Sequence, residues 1–324
     1  MLFRHLIVAL AFVCVVGSAA AQDRLTVTSQ YGPSKPQTLF WERFKSIIEA
    51  ERPGAYDITI VTSGALGGEK EEAEAMRLGA ITGALSTVAS LTTWVLAGTV
   101  LDLPFVFEDE EHIVRALDGP VGESLKEAYR SEGFEVPAFI IFGARHLIGQ
   151  TPRTAPGTME DVTMRVLQSD LHIALWRSLG ANPTALPITE AYTALSNGVV
   201  DAMDMTMSGF EALRLYEVAP VLTETAHIWA VGVVYFDVNF WNGLSDEDKA
   251  LFTRAARESA AYFNTLAAAE QEAAMARAEA LGARRVSVES APWRAATAPF
   301  VDAYVSALDD PLAQSAFQAI KNAR

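Results

Sequence analysis

From Asp246 to Leu281 the chain runs without a glycine or a proline, and the first break is Gly282. The run is rich in Ala, Glu and Arg, and Ser245 followed by Asp248 supplies a capping box at its start. A helix of roughly 35 residues rising 1.5 Å per residue spans about 50 Å, more than the width of one compact lobe. The helix is therefore expected to run along two lobes. A length of roughly 300 residues is also where one hydrophobic core tends to split into two.

The beginning of the chain indicates where it works. Met1 to Ala21 has a basic start at Arg4, an apolar run from Leu6 to Val16 and the small residues Ala19-Ala20-Ala21, the pattern of a cleaved secretory signal rather than a membrane span. The only cysteine, Cys14, follows Val13, which argues against a lipid anchor. The mature chain is then expected to begin near Gln22 without a thiol, so that core burial alone must stabilise it. The formal charge of −15 comes from 40 acidic against 25 basic residues. It argues against a nucleic-acid partner and makes solubility in an exported compartment the simplest reading.

The remaining pattern is a βαβ rhythm, which favours a parallel-sheet α/β class. Strands are expected at Leu25–Ser29, Tyr56–Val61 and Phe134–Phe142, with a buried extended run at Leu101–Phe107. Helices are expected at Gln37–Ala50 and, acidic and exposed, at Glu69–Leu78. After Arg145 the rhythm repeats: strand Thr163–Leu167, helix Asp170–Leu179, a break at Asn182-Pro183, helix Thr189–Asn197 and strand Val199–Met205. A further strand covers Ala226–Phe236. Without a low-complexity tether, the two lobes are expected to be joined by crossing strands.

Arg165 stands out, because it lies between the apolar Met164 and Val166 just before a polar turn. A strand end in an open α/β sheet presents groups to ligands, and guanidinium is a planar fork that grips a carboxylate with two parallel hydrogen bonds. A salt-bridged arginine on a strand edge is the alternative. Enzyme chemistry has little support. The five histidines, His5, His112, His146, His172 and His227, show neither HExxH nor paired ligand spacing, and no serine sits in a G-x-S-x-G elbow. Neither a metal nor a cofactor is expected. Gly64-Ala-Leu-Gly-Gly-Glu-Lys lacks the ending of a phosphate loop, and Glu69, Glu71 and Glu72 would repel phosphate, so it reads as a turn into a helix.

The strings LDLPFVF (Leu101 to Phe107), GARH (Gly143 to His146), MRV (Met164 to Val166), GANPT (Gly180 to Thr184), TEAYTALSNGVVDA (Thr189 to Ala202) and YEV (Tyr216 to Val218) carry a resemblance in their order and spacing. The chain resembles the solute-binding proteins of tripartite ATP-independent periplasmic (TRAP) transporters, the DctP-like family, over nearly the whole mature length. The resemblance implies an α/β, two-lobed periplasmic solute-binding protein fold with crossing strands and a long helix spanning both lobes. On that basis residues 1–21 are the signal, 22–143 plus 231–270 form lobe I, and 144–230 plus 271–324 form lobe II. The protein would be a monomeric periplasmic receptor that closes on a small organic acid and delivers it to the small and large TRAP membrane subunits.

Carried over by position, Arg165 matches the arginine that pairs with the ligand carboxylate, and Arg145 a second pocket arginine; both are expected at strand ends. Gln168 matches a polar position in the following turn, and Asp170 is expected to cap the next helix. Where relatives often read Glu-Asn, this chain has Asp204-Met205. Period-two spacing puts Met203, Met205 and Met207 on one face, with Met203 read as core and Met205 as pocket wall. This points to a poorly hydroxylated, apolar or aromatic ligand. Tyr31, Ser86 and Trp229 are further candidates from the opposite lobe and the return segment. A C4-dicarboxylate or keto acid ligand, a receptor coupled to signalling, and an exported α/β enzyme remain as alternatives.

Overall fold

The computed structural model describes residues 22–324, so the signal segment and Cys14 lie outside the described residues. The first lobe begins with β1 (Asp23–Thr28), α1 (Pro36–Glu51), β2 (Tyr56–Val61), α2 (Glu69–Arg77) and β3 (Gly83–Thr87). Two helices follow, α3 (Glu110–Leu117) and α4 (Pro120–Ser131), before the long strand β4 (Phe134–Gly149). The second lobe comprises β5 (Thr163–Val166), α5 (Asp170–Ser178), β6 (Asn182–Ala185), α6 (Ile188–Ser196), β7 (Ala202–Met205) and α7 (Met207–Ala212). The chain returns through β8 (Val221–Asp237), α8 (Val238–Gly243) and α9 (Asp246–Ala280), then closes with β9 (Arg284–Ser287), α10 (Ser290–Ala307) and α11 (Pro311–Asn322).

One mixed sheet runs through both lobes in the order β2-β1-β3-β8-β4-β7-β5-β6, with β9 alongside the start of β8. Pairing is parallel where β1 meets β2 and β3, and where β5 meets β6 and β7. The pairs β3–β8, β4–β8 and β4–β7 are antiparallel, so the parallel-sheet expectation holds for the outer strands of each lobe and fails where β4 and β8 join them. β4 and β8 pair from Phe134↔Asp237 to Gly149↔Val221 and so cross from one lobe to the other. Their ladder shifts register between Ile141 and Gly143 and again between Arg145 and Leu147, bulges that bend the crossing. Gly143 sits there at φ 112°, a backbone region that side chains disfavour.

The long helix forms as expected. The Ser245 hydroxyl accepts from the Asp248 N–H at 3.1 Å, and α9 continues for 35 residues. Its first half buries Phe252, Ala256 and Phe263 in a core with Trp41, Phe44 and Phe236 of lobe I. Its last turns bury Met275 and Ala278 in a lobe II core with Met203, Met205 and Phe210. The opposite faces of the sheet are covered by a second core in each lobe, so both are helix–sheet–helix sandwiches.

Several local expectations are corrected. Arg145 lies within β4, since the strand does not stop at Phe142 but continues to Gly149. Leu101–Phe107 is not extended: a 3-10 turn covers Leu96–Asp102 and Phe105 has φ 54°. A short run buried on all sides carries no periodicity to separate helix from strand. Asn182-Pro183 begins β6, the outermost strand of its lobe, where a proline costs no ladder bond. Asp170 is the first residue of α5 and Ser169 occupies the cap without a side-chain bond. The C-terminal segment does not stay with lobe II. Val305, Ala316, Phe317 and Ile320 of α10 and α11 complete the lobe I core formed by α2, α3 and α4.

The crossing strands also set a pH dependence. His146 Nδ1 accepts the Ala226 N–H at 3.3 Å across β4 and β8, and burial, then the neighbouring His227 and Arg285, lower its pKa from 6.5 to about 3. A depressed histidine leaves the unfolded chain binding the proton first, so stability is complete above about pH 6.5 and is lost as pH falls toward 3. Denaturant titrations should show a loss on the order of 2 kcal/mol from this group by pH 5. His146→Asn should flatten that slope, and an unchanged slope would exclude His146 as its source.

Candidate functional site

The strand-end arginine is a buried cation without a counter-charge. Arg165 is 3% exposed, and its Nε and Nη2 both donate to the Leu186 carbonyl, at 2.9 and 2.6 Å. Among the described residues no carboxylate comes within ion-pair distance of it. Burial, then the charge of Arg145, lower its pKa from 12.5 to about 10. It stays charged at neutral pH, held in an environment that favours an anion beside it.

Arg145 is bound differently. Its Nε and Nη2 donate to the two Asp204 carboxylate oxygens at 2.7 and 2.9 Å, and Nη2 also reaches the Asp204 carbonyl at 3.0 Å. His227 Nε2 stands 3.1 Å from Asp204 Oδ2, and Thr225 Oγ1 lies 2.8 Å from His227 Nδ1. Burial favours neutral forms, but Asp204 overrides it and raises the Arg145 pKa, while Arg145 and His227 hold the Asp204 carboxyl well below its ordinary value. Arg145 is thus neutralised from beneath, and Arg165 is not.

These two arginines line an inter-lobe cavity of about 50 Å³ together with Tyr31, Gln168 and Met205. The lobe I side is polar. Glu69 accepts from the Thr87 hydroxyl at 2.7 Å, the Thr87 N–H at 3.2 Å and the Ser90 hydroxyl, and burial raises its pKa against the lowering effect of Ser90 and Thr87. Phe142, Leu167, Ile188 and Met205 supply the apolar walls. Tyr31 is half-buried, and desolvation of its hydroxyl, then the charge of Glu69, push its phenol up.

The lobes touch around this cavity. Gln168 Nε2 donates to Glu71 Oε1 at 3.1 Å across the cleft, and Lys35 Nζ pairs with Glu211 at 2.6 Å. Gly68 permits the approach of α2 to α6, because a Cβ there would stand 2.8 Å from the Pro187 Cβ.

Of the eight residues singled out in the sequence, Arg165, Arg145, Gln168, Met205 and Tyr31 come together at the cavity. The other three do not line it. Asp204 is fully buried behind Arg145. Ser86 is buried in β3 opposite Val233, and Trp229 packs on the lobe I core with its indole N–H on the Glu108 carbonyl at 3.3 Å. Glu69, Ser90, Gln30 and Phe142 were missed. Only the acidic start of α2 signalled Glu69, and charge at a helix start ordinarily marks a solvated first turn.

The family model described as "Bacterial extracellular solute-binding protein, family 7" matches residues 27–307. A solute-binding protein of Verminephrobacter eiseniae is 28% identical over 244 residues, covering 75% of this chain and 73% of that protein. The C4-dicarboxylate-binding periplasmic protein DctP of Rhodobacter capsulatus is 28% identical over 275 residues, 83% of each chain. A TRAP periplasmic solute-binding protein from a Bradyrhizobium species, solved in complex with D-galacturonate, superposes with a TM-score of 0.88 at 29% identity, covering 93% of this chain and 100% of that one. No helix among the described residues is long and apolar enough to cross a membrane. Two lobes crossed by β4 and β8 with one helix along both accord with the fold of these matches, and the chain belongs to family 7 of the bacterial extracellular solute-binding proteins.

Proposed function

We propose that the chain is the periplasmic receptor of a TRAP transport system and binds a small monocarboxylic acid through Arg165. The observation that carries this reading is the buried Arg165 guanidinium, which faces the cavity without a carboxylate partner. Arg145 supports rather than duplicates it, since Asp204 takes most of its hydrogen-bonding capacity. The cavity then has one uncompensated cation, which suits one carboxylate better than two. Glu69 disfavours a second carboxylate on the lobe I side and suits a hydroxyl there, while Met205, Phe142, Leu167 and Ile188 suit an apolar flank. That combination moves the preferred ligand from a poorly hydroxylated acid toward one with at least one hydroxyl facing Glu69. The galacturonate bound by the Bradyrhizobium relative is a hydroxylated monocarboxylic acid of this kind.

The cycle in this reading is binding to an open cleft, then hinge bending at the β4–β8 crossing until α2 meets α6. A cavity of about 50 Å³ has room for a few water molecules, so the lobes must part to admit an acid of sugar size. Closure makes no bond and breaks none. We assign the small and large TRAP membrane subunits as the receiving partners of the monomeric closed receptor. Ligand contacts are proposed for Arg165, Arg145, Gln168, Met205, Tyr31 and Glu69, and none for Asp204, Ser86 or Trp229.

A calorimetric or thermal-shift panel of hydroxy acids, uronic acids and dicarboxylates identifies the ligand class, because a ligand at a hundred times its Kd adds about 2.7 kcal/mol of stability. With the best ligand, Arg165→Ala should lower affinity at least about a hundredfold, the loss of two charge-assisted bonds, and Arg165→Lys should recover little because an ammonium lacks the fork. Unchanged affinity in Arg165→Ala would refute the site. Glu69→Ala should cost about tenfold for a hydroxylated acid and nothing for its deoxy analogue; equal losses for both would remove the hydroxyl assignment. Gly68→Ala should leave folding intact yet weaken binding about tenfold by obstructing closure against Pro187, a result that scattering of the ligand-bound variant checks as a more open envelope.

A further inference from the structure

Behind the cavity, on the α2 face of the lobe I sheet, lies a cluster of oxygens of which only Gln30 also borders the ligand cavity. Glu72 points inward from α2 and is 1% exposed. Both of its carboxylate oxygens lack a hydrogen-bond partner, as do the Thr28, Ser86 and Tyr235 hydroxyls and the Gln30 side-chain oxygen. Thr28 closes β1, Ser86 lies in β3, and Tyr235 in β8 stands opposite Ala84, one diagonal step from Ser86. Gln30 and Thr28 approach the Glu72 carboxyl closely enough to offset part of the effect of its burial, without reaching hydrogen-bond geometry. Tyr235 feels both the Glu72 charge and the Ser86 hydroxyl. The groups therefore converge from four elements and are not scattered.

The charges that act most strongly on this carboxyl are acidic, Glu69 and Glu71, and the Tyr235 phenol feels the Glu72 charge in turn. A buried carboxylate with no cation beside it is costly even where hydroxyls can donate to it, and buried polar atoms in folded proteins are almost always satisfied. Hydroxyl, amide and carboxylate oxygens are hard ligands that suit alkali and alkaline-earth cations rather than soft metals. A single carboxylate among neutral oxygens matches one positive charge.

We propose that Thr28, Gln30, Glu72, Ser86 and Tyr235 form an internal site for a monovalent alkali cation, next to the ligand cavity and joined to it by Gln30, which belongs to both. The site belongs to lobe I alone, so it does not depend on the ligand assignment above. A cation there fixes α2 on the sheet and holds Gln30 where it borders the cavity.

The test is the melting temperature of the purified, ligand-free receptor at pH 8 in sodium, potassium or choline chloride of equal ionic strength. Sodium or potassium should raise it by several degrees over choline in a saturable manner, and Glu72→Gln should abolish the difference. Ser86→Ala, which keeps the carboxylate, should shift the response to higher cation concentration. At pH 5 protons compete for the carboxylate and the cation effect should shrink. Melting temperatures that are the same in all three salts would overturn the proposal. If wild-type stability also fell as pH rises from about 5 toward 8, where burial pushes the Glu72 pKa, and Glu72→Gln removed that fall, Glu72 would be a neutral acid and the site would hold no cation.

Discussion

The Arg145–Asp204 pair organises the space between the lobes. Arg145 comes from β4 and Asp204 from β7, and His227 from β8 completes the contact, so three strands at the crossing are joined by one buried, bidentate ion pair. Burial of two charges is favourable only when geometry is good and the remaining polar atoms are satisfied. Here Thr225 continues the network through His227, and the pair sits where the β4–β8 ladder shifts register. Because Arg145 is neutralised, the electrostatic character of the cleft falls to Arg165.

That division of labour explains why two arginines lie close together in a strongly acidic protein. A cleft with two free guanidinium groups would repel itself and attract dianions. With one cation compensated, the field at the cavity is that of a single charge, opposed on the lobe I side by a carboxyl whose pKa burial raises. The remaining walls are apolar, and water exclusion strengthens each charge-assisted bond made there. The contacts around the cleft, Gln168 to Glu71 and Lys35 to Glu211, are few and polar. Contacts of that kind suit the opening and closing proposed for the cleft.

Much of the fold was legible along the chain. The uninterrupted run after Ser245 and its capping box placed α9 to within a residue, and alternating apolar residues located β1, β2 and β5. The misreadings share a physical cause. Leu101–Phe107 is buried on every side, and β4 continues past the glycine at position 143, so neither a period nor a breaker reported the backbone path. α11 returns to lobe I because its apolar face matches the uncovered side of that core, a pairing between segments some 200 residues apart that no local pattern encodes.

The candidate site divides in the same way. The sequence by itself determined that a lone arginine between apolar neighbours ends a strand before a polar turn, because strand periodicity and charge are local properties. Only the tertiary structure decided that Asp204 faces Arg145 rather than the cavity, that Ser86 and Trp229 lie away from it, and that Glu69 turns inward from a helix which reads as solvated. Burial and charge pairing depend on what the other lobe and the crossing strands bring near, and these contacts arise from residues far apart in the chain.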